Sequence, residues 1–163
     1  MHGFDERFSM AWREDSDLEF KLILQRIPIV HVPEALVIHP VREAPWGISI
    51  KEQRKGMFNA LLYKKYPKLY RKKIQPSPPW NYYVIVLSVV TMLYAVSADN
   101  KIIFYGAFLC WLFLMVRFIV KRLSETSRSF RHVLEMIVTS LVIPFLSVYW
   151  QLYGAYRYRV LFL

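Results

Sequence analysis

The feature that most constrains this chain is a pair of apolar runs in its second half. Trp80 to Ala98 contains no charged residue, and Ile102 to Val120 contains only Arg117. Each run is 19 residues long, close to the ~20 that an α-helix needs to cross the hydrocarbon core of a bilayer. Lipid offers no hydrogen-bond partners, so such runs must satisfy their backbone internally, as helices. Asp99-Asn100-Lys101 leaves room for a tight turn only, so the two runs predict a transmembrane hairpin over 80–98 and 102–120. Arg117 lies near the end of its run and can extend to the interface beside Lys121 and Arg122. Trp80, Tyr82 and Tyr83 suit an aromatic belt at that same boundary.

Charge orients the hairpin. The chain has a formal net charge of +10, unevenly spread. Residues 1–50 hold five Lys/Arg against eight Asp/Glu, residues 51–73 nine against one, and residues 117–132 five against one. Both basic belts flank the open end of the hairpin, which predicts that end to be cytoplasmic, with the 99–101 turn on the far side. The expectation is a multi-pass protein of the inner (cytoplasmic) membrane with residues 1–75 in the cytoplasm. A basic belt next to spans points to lipid headgroups, and without a recognisable nucleic-acid module, nucleic acid is not an expected partner. Cys110 is the only cysteine, so an intrachain disulfide is excluded, and it reads as a small apolar residue of its run.

A third apolar run, Val133 to Gly154, includes Glu135, Pro144 and Gln151 and is followed by Tyr156-Arg157-Tyr158-Arg159. Two readings stand. A third crossing tolerates polar residues near its ends but puts Arg157 and Arg159 on the far side, against the charge rule. A Pro-kinked or interfacial helix keeps them inside. The run's length and apolarity favour the crossing.

Upstream of the spans, Pro76, Pro78 and Pro79 mark a stiff linker. Residues 49–75 read as a basic amphipathic helix and linker. Ser49-Ile50-Lys51-Glu52 fits a capping box, and Ile50, Met57, Phe58, Leu61 and Leu62 make one apolar stripe suited to the membrane–water interface.

Residues 1–48 differ from the rest. Residues 1–12 read as a loop in which Gly3 permits a tight turn. A short helix over 16–26 buries Leu18, Phe20, Leu22, Ile23 and Leu24, with Pro28 just past its end. Two β-branched runs, 29–32 and 36–39, flanked by Pro28, Pro33 and Pro40, predict short strands. Strands this short need further partners to form a sheet. At the helix start, Arg13-Glu14-Asp15-Ser16-Asp17-Leu18 concentrates three carboxylates. Acidic residues there suit the helix dipole and the free N–H groups of the first turn. A carboxylate at a cleft mouth also suits a general base, and the cluster alone leaves both roles open.

The order Gly3-Phe4-Asp5-Glu6, Glu14-Asp15-Ser16-Asp17-Leu18, Val32-Pro33-Glu34-Ala35, His39 resembles the second half of the catalytic domain of a membrane-bound family-two glycosyltransferase of the GT-A fold. The resemblance covers residues 2–39 and extends loosely to about 75. It implies an α+β fragment over 1–48, with few short strands, ahead of a transmembrane α-helical region, so a chain that is mostly α overall. It implies transfer of a sugar from a nucleotide-sugar donor to a lipid-linked or cell-envelope acceptor at the cytoplasmic membrane face. Asp15 matches the catalytic base and Glu14 a positioning carboxylate, while Asp17 caps the helix. Gly3, Phe4 and Asp5 match the loop bordering the acceptor. His39 matches a ligand of Mg²⁺ or Mn²⁺ or of the donor diphosphate; His2, His31 and His132 match nothing. The Gln-x-x-Arg-Trp segment of processive members is represented only by Gln53-Arg54-Lys55-Gly56-Met57-Phe58, which lacks the Arg and the Trp at those positions and favours single-sugar transfer. The family's nucleotide-binding half, with its Asp-x-Asp, has no counterpart here. The chain is thus expected to be incomplete and inactive alone, and the alternative is a non-catalytic membrane anchor or interaction subunit.

Overall fold

A computed structural model describes residues 3–38, 40, 44–124 and 126–162. The fold is mostly helical: α1 (Glu14–Leu24), α2 (Ile48–Glu52), a 3₁₀ turn (Gln53–Gly56), α3 (Met57–Lys65), α4 (Pro67–Lys73), α5 (Trp80–Ser97), α6 (Lys101–Leu123) and α7 (Phe130–Arg157). Three of these, α5, α6 and α7, are long and apolar enough to cross a membrane.

No strand forms among the described residues, which corrects the expected strands over 29–32 and 36–39. The segment is extended and open, with Leu36, Val37 and Ile38 exposed by 89%, 85% and 92%. A turn at Pro33-Glu34, where the Ala35 N–H donates to the Val32 carbonyl at 3.1 Å, is its local order. The physical reason is the lack of a neighbouring ladder: β-propensity alone does not hold a strand whose N–H and C=O groups have no partner.

The capping box also fails to form. Gly47, at φ +74°, is the N-cap of α2, so Ser49 lies inside the helix. Its hydroxyl accepts from the Arg122 guanidinium at 3.3 Å. The turn before α2 is pinned from outside, because the Gly47 N–H donates to the Glu135 carboxylate at 2.6 Å.

A compact core joins α1, α3, α4 and the end of the chain. Phe8, Phe20, Met57, Phe58, Leu61, Leu62, Tyr70 and Phe162 are buried together, with Trp150 and Tyr153 of α7 packed against them. The apolar stripe of residues 57–62 is therefore covered by protein rather than lipid. Tyr63, Tyr70 and Phe162 form an aromatic trio with centroids 5.1–5.7 Å apart, a spacing at which tilted and edge-on rings attract.

The hairpin is built differently. Ile85, Ser88 and Ala95 of α5 and Met115 of α6 are buried, while Leu87, Val90, Leu93, Leu109 and Phe113 are among the exposed apolar side chains. Asn100 starts α6, its side-chain oxygen accepting from the Ile103 N–H at 3.1 Å. Ser88 satisfies its hydroxyl within α5, donating to the Val84 carbonyl at 2.8 Å.

α7 has two kinds of neighbour. Near its start it meets the end of α6, where Arg122 donates to Thr139 Oγ1 at 2.9 Å and Ser140 Oγ at 2.7 Å. Near its end it lies on α3 so closely that a Cβ on Gly154 would come 2.5 Å from the Met57 carbonyl oxygen. Lys64 donates to the Tyr158 carbonyl at 2.8 Å just beyond. Pro144 sits within α7 without ending it.

Candidate functional site

The acidic cluster is held at the corner where α1 begins. Arg13 precedes it in the left-handed region, at φ +74°, a conformation that a non-glycine residue keeps only when its surroundings enforce it. Here the Arg13 Nε donates to Asn59 Oδ1 of α3 at 2.7 Å, and its guanidinium lies over the Trp12 ring. This tie decides where the helix starts and where Glu14 and Asp15 emerge.

The three carboxylates then separate by environment. Asp17 is fully buried, at 0% exposure. It pairs with Lys21 one turn along at 2.9 Å and with Lys65 of α3. A buried carboxylate persists only with such partners, so Asp17 joins helices; this corrects its expected capping role. Asp15 is exposed, and its Oδ1 accepts from its neighbour Ser16, from the N–H at 2.6 Å and the hydroxyl at 3.3 Å. Glu14 is half-buried, and its Oε2 is enclosed without a hydrogen-bond partner among the described residues.

The Gly3–Glu6 loop is drawn onto this helix. Lys21 donates to the Gly3 carbonyl at 2.9 Å, and Lys65 donates to Asp5 at 2.7 Å while also pairing with Asp17. Asp5 is further gripped by the Arg7 guanidinium at 2.7 Å, which holds its carboxyl well below the usual carboxylate range, with Lys65 adding to the effect. Phe4 remains exposed. Of the residues singled out from sequence, Gly3 and Asp5 are thus brought to the helix that carries Glu14 and Asp15. His39 lies outside the described residues.

A cleft of about 670 Å³ opens beside this corner, lined by Met10, Ala11, Ile48, Ile50, Lys51, Glu52, Arg54, Lys55 and Trp150. Met10 and Ala11 lie five and four residues before Asp15. The lining is mixed: Lys51, Arg54 and Lys55 at α2 and the 3₁₀ turn, with Glu52 paired to Lys55, and apolar groups from Met10, Ala11, α2 and α7. Arg54 lies 5.8 Å from the Trp150 ring centroid, an approach within cation–π range. The cleft therefore presents cationic and apolar groups side by side.

Among the described residues, no three His, Cys, Asp or Glu side chains come together as a metal site. The divalent cation that the resemblance implies therefore does not fit the described residues alone, and no chemical step is routed through it.

Sequence reasoning missed Lys65, Asn59 and Arg13, which position the corner. Only the Asp17–Lys21 spacing of four residues signalled part of this network; Lys65 is 48 residues from Asp17 and 60 from Asp5. No protein-family model, no curated protein and no solved structure matches the chain.

Proposed function

We propose that residues 1–48 are the acceptor-side half of a membrane-bound glycosyltransferase. In this reading a sugar passes from a nucleotide-sugar donor to a lipid-linked or envelope acceptor at the cytoplasmic face. The acceptor hydroxyl attacks the anomeric carbon, the bond from that carbon to the nucleotide diphosphate breaks, and the hydroxyl proton moves to the Asp15 carboxylate. Glu14 positions acceptor or base, and Gly3, Phe4 and Asp5 border the acceptor. The donor is bound by a nucleotide-binding half outside these residues, in a partner chain or a longer form of this one. That half would supply the Asp-x-Asp which, with His39, would hold Mg²⁺ or Mn²⁺.

The observation that supports this reading most is the pinning of the Gly3–Glu6 loop to α1 by Lys21 and Lys65, with Asp15 left exposed. Asp17 is consumed by its lysines, so Asp15 is the carboxylate of the Asp-Ser-Asp run that is open to an acceptor. The test is sugar transfer in membranes carrying this chain together with its nucleotide-binding half. Asp15→Asn is expected to lower turnover by roughly 10²–10⁴-fold, the usual worth of a positioned base, with folding unchanged. Near-normal turnover removes Asp15 from the role.

A second reading, a non-catalytic anchor or interaction subunit, is favoured by the open segment 29–38, whose exposed apolar side chains suit a partner's apolar surface. Co-purification separates the two. A stoichiometric partner bearing an Asp-x-Asp domain supports the enzyme, and an unrelated partner supports the anchor.

A further inference from the structure

We infer that α7 does not cross the membrane but lies in the plane of the leaflet beside the head, the core that joins α1, α3, α4 and Phe162, docked on lipid by one apolar ridge, so that the chain spans the bilayer twice. The inference is independent of sugar transfer.

It rests first on what holds the two ends of α7. Glu135, near the start, accepts from the Gly47 N–H at 2.6 Å. Gly154, near the end, lies against Met57, and the Tyr158 carbonyl accepts from Lys64 at 2.8 Å. These contacts are about 28 Å apart along α7, at ~1.5 Å per residue. Both are made by one short stretch, residues 47–64, which follows the helix from one end to the other. That stretch includes Lys51, Glu52, Arg54 and Lys55. Were α7 to cross, these charges would be carried alongside it to bilayer depth, among the costliest placements for a charged side chain. The chain end agrees: Phe162 returns to the head core beside Tyr63 and Tyr70.

The surface of α7 divides accordingly. Thr139, Ser140, Gln151 and Gly154 are among its buried residues. Leu134, Val138, Leu141, Phe145, Tyr149, Leu152 and Tyr156 are exposed, and their spacings of three and four place them on one ridge. Arg131 and Arg157 stand at the two ends. With its other side held by residues 47–64 and the end of α6, the ridge is the side of α7 left to meet lipid. The occupant is thus the lipid of one leaflet, continuous with the lipid around α5 and α6. The cleft bordered by Trp150 then opens at headgroup depth.

The test uses the whole chain in sealed membrane vesicles of both orientations. Single cysteines replace the exposed residues in a Cys110→Ala background: Ala98→Cys, Phe130→Cys and Tyr156→Cys. A membrane-impermeant maleimide is expected to label Phe130→Cys and Tyr156→Cys from one side and Ala98→Cys from the other. Labelling of Tyr156→Cys from the Ala98 side overturns the inference. Depth gives a second readout, with fluorophores on Leu134→Cys, Leu141→Cys and Leu152→Cys and quenching by lipids brominated at shallow or deep positions. Equal quenching at the three, stronger from the shallow bromines, supports α7 in the plane. Deep quenching that peaks at Leu141 overturns it. Leu109→Cys of α6 serves as the deep reference.

Discussion

The hairpin and α7 look alike as sequence and are unlike as structure. α5 and α6 bury few residues, Ile85, Ser88, Ala95 and Met115, and much of the rest of their surface is exposed and apolar. α7 is also apolar, yet one side is committed to polar and aromatic partners: Arg122 at Thr139 and Ser140, Gly47 at Glu135, Met57 at Gly154. Hydropathy sets how strongly a helix prefers lipid. It does not set whether the helix crosses lipid or lies along it, because that depends on what covers the other face.

Four variants would break or sharpen the contrast. The largest effect is expected where a buried charge loses its partner. Asp17→Asn leaves Lys21 and Lys65 without their shared carboxylate and should destabilise the head by roughly 3–5 kcal/mol. Head unfolding, followed by tryptophan fluorescence in detergent, should drop sharply while hairpin helicity persists. Simultaneous loss of both would mean that the two regions are one cooperative unit.

Next come two glycines in contrasting settings. Gly154→Leu drives a side chain into the Met57 backbone and should cost roughly 3 kcal/mol, at the upper end for overpacking, since the obstacle is backbone. A Cβ on Gly106 of α6 meets nothing within 4 Å, so Gly106→Leu should stay within about 0.5 kcal/mol. Paired thermal melts check this, and equal losses would deny that α7 is packed more tightly than the hairpin.

The smallest effect is a pH dependence. Burial pushes the Tyr70 phenol from 10 to about 12. Its neutral form is favoured in the fold, so the stability it contributes is fully present below pH 10 and is lost as pH rises through about 12. The total is roughly 2–3 kcal/mol at ~1.4 kcal/mol per unit. Tyr70→Phe should remove that alkaline loss at a cost of about 1 kcal/mol near neutrality, from the 3.2 Å hydrogen bond to Gln75. Unfolding of wild type and variant between pH 9 and 12 gives the comparison.

The helices α5 and α6 were legible because each carries an apolar run long enough to span, so no knowledge of neighbours is needed. The expected strands over 29–32 and 36–39 fail for the opposite reason: Val30, Val32, Val37 and Ile38 favour extended backbone, but a strand exists only through a neighbour, and the described residues supply none. Ser49 was misread as a cap because Glu135, 88 residues from Gly47, sets where α2 begins. In the candidate site, the carboxylates were visible as a cluster. Which of them is buried was not, since Lys65 reaches Asp17 and Asp5 only through the packing of α3 on α1.

By itself, the sequence determined that the second half is helical and lipid-seeking, with a basic belt at its boundary, because length, hydropathy and charge act residue by residue along the chain. Tertiary structure alone decided that Asp17 is paired and Asp15 open, and that α7 is bound along its length by residues 47–64. Those outcomes depend on groups dozens of residues apart meeting at hydrogen-bond distance, which no local pattern encodes.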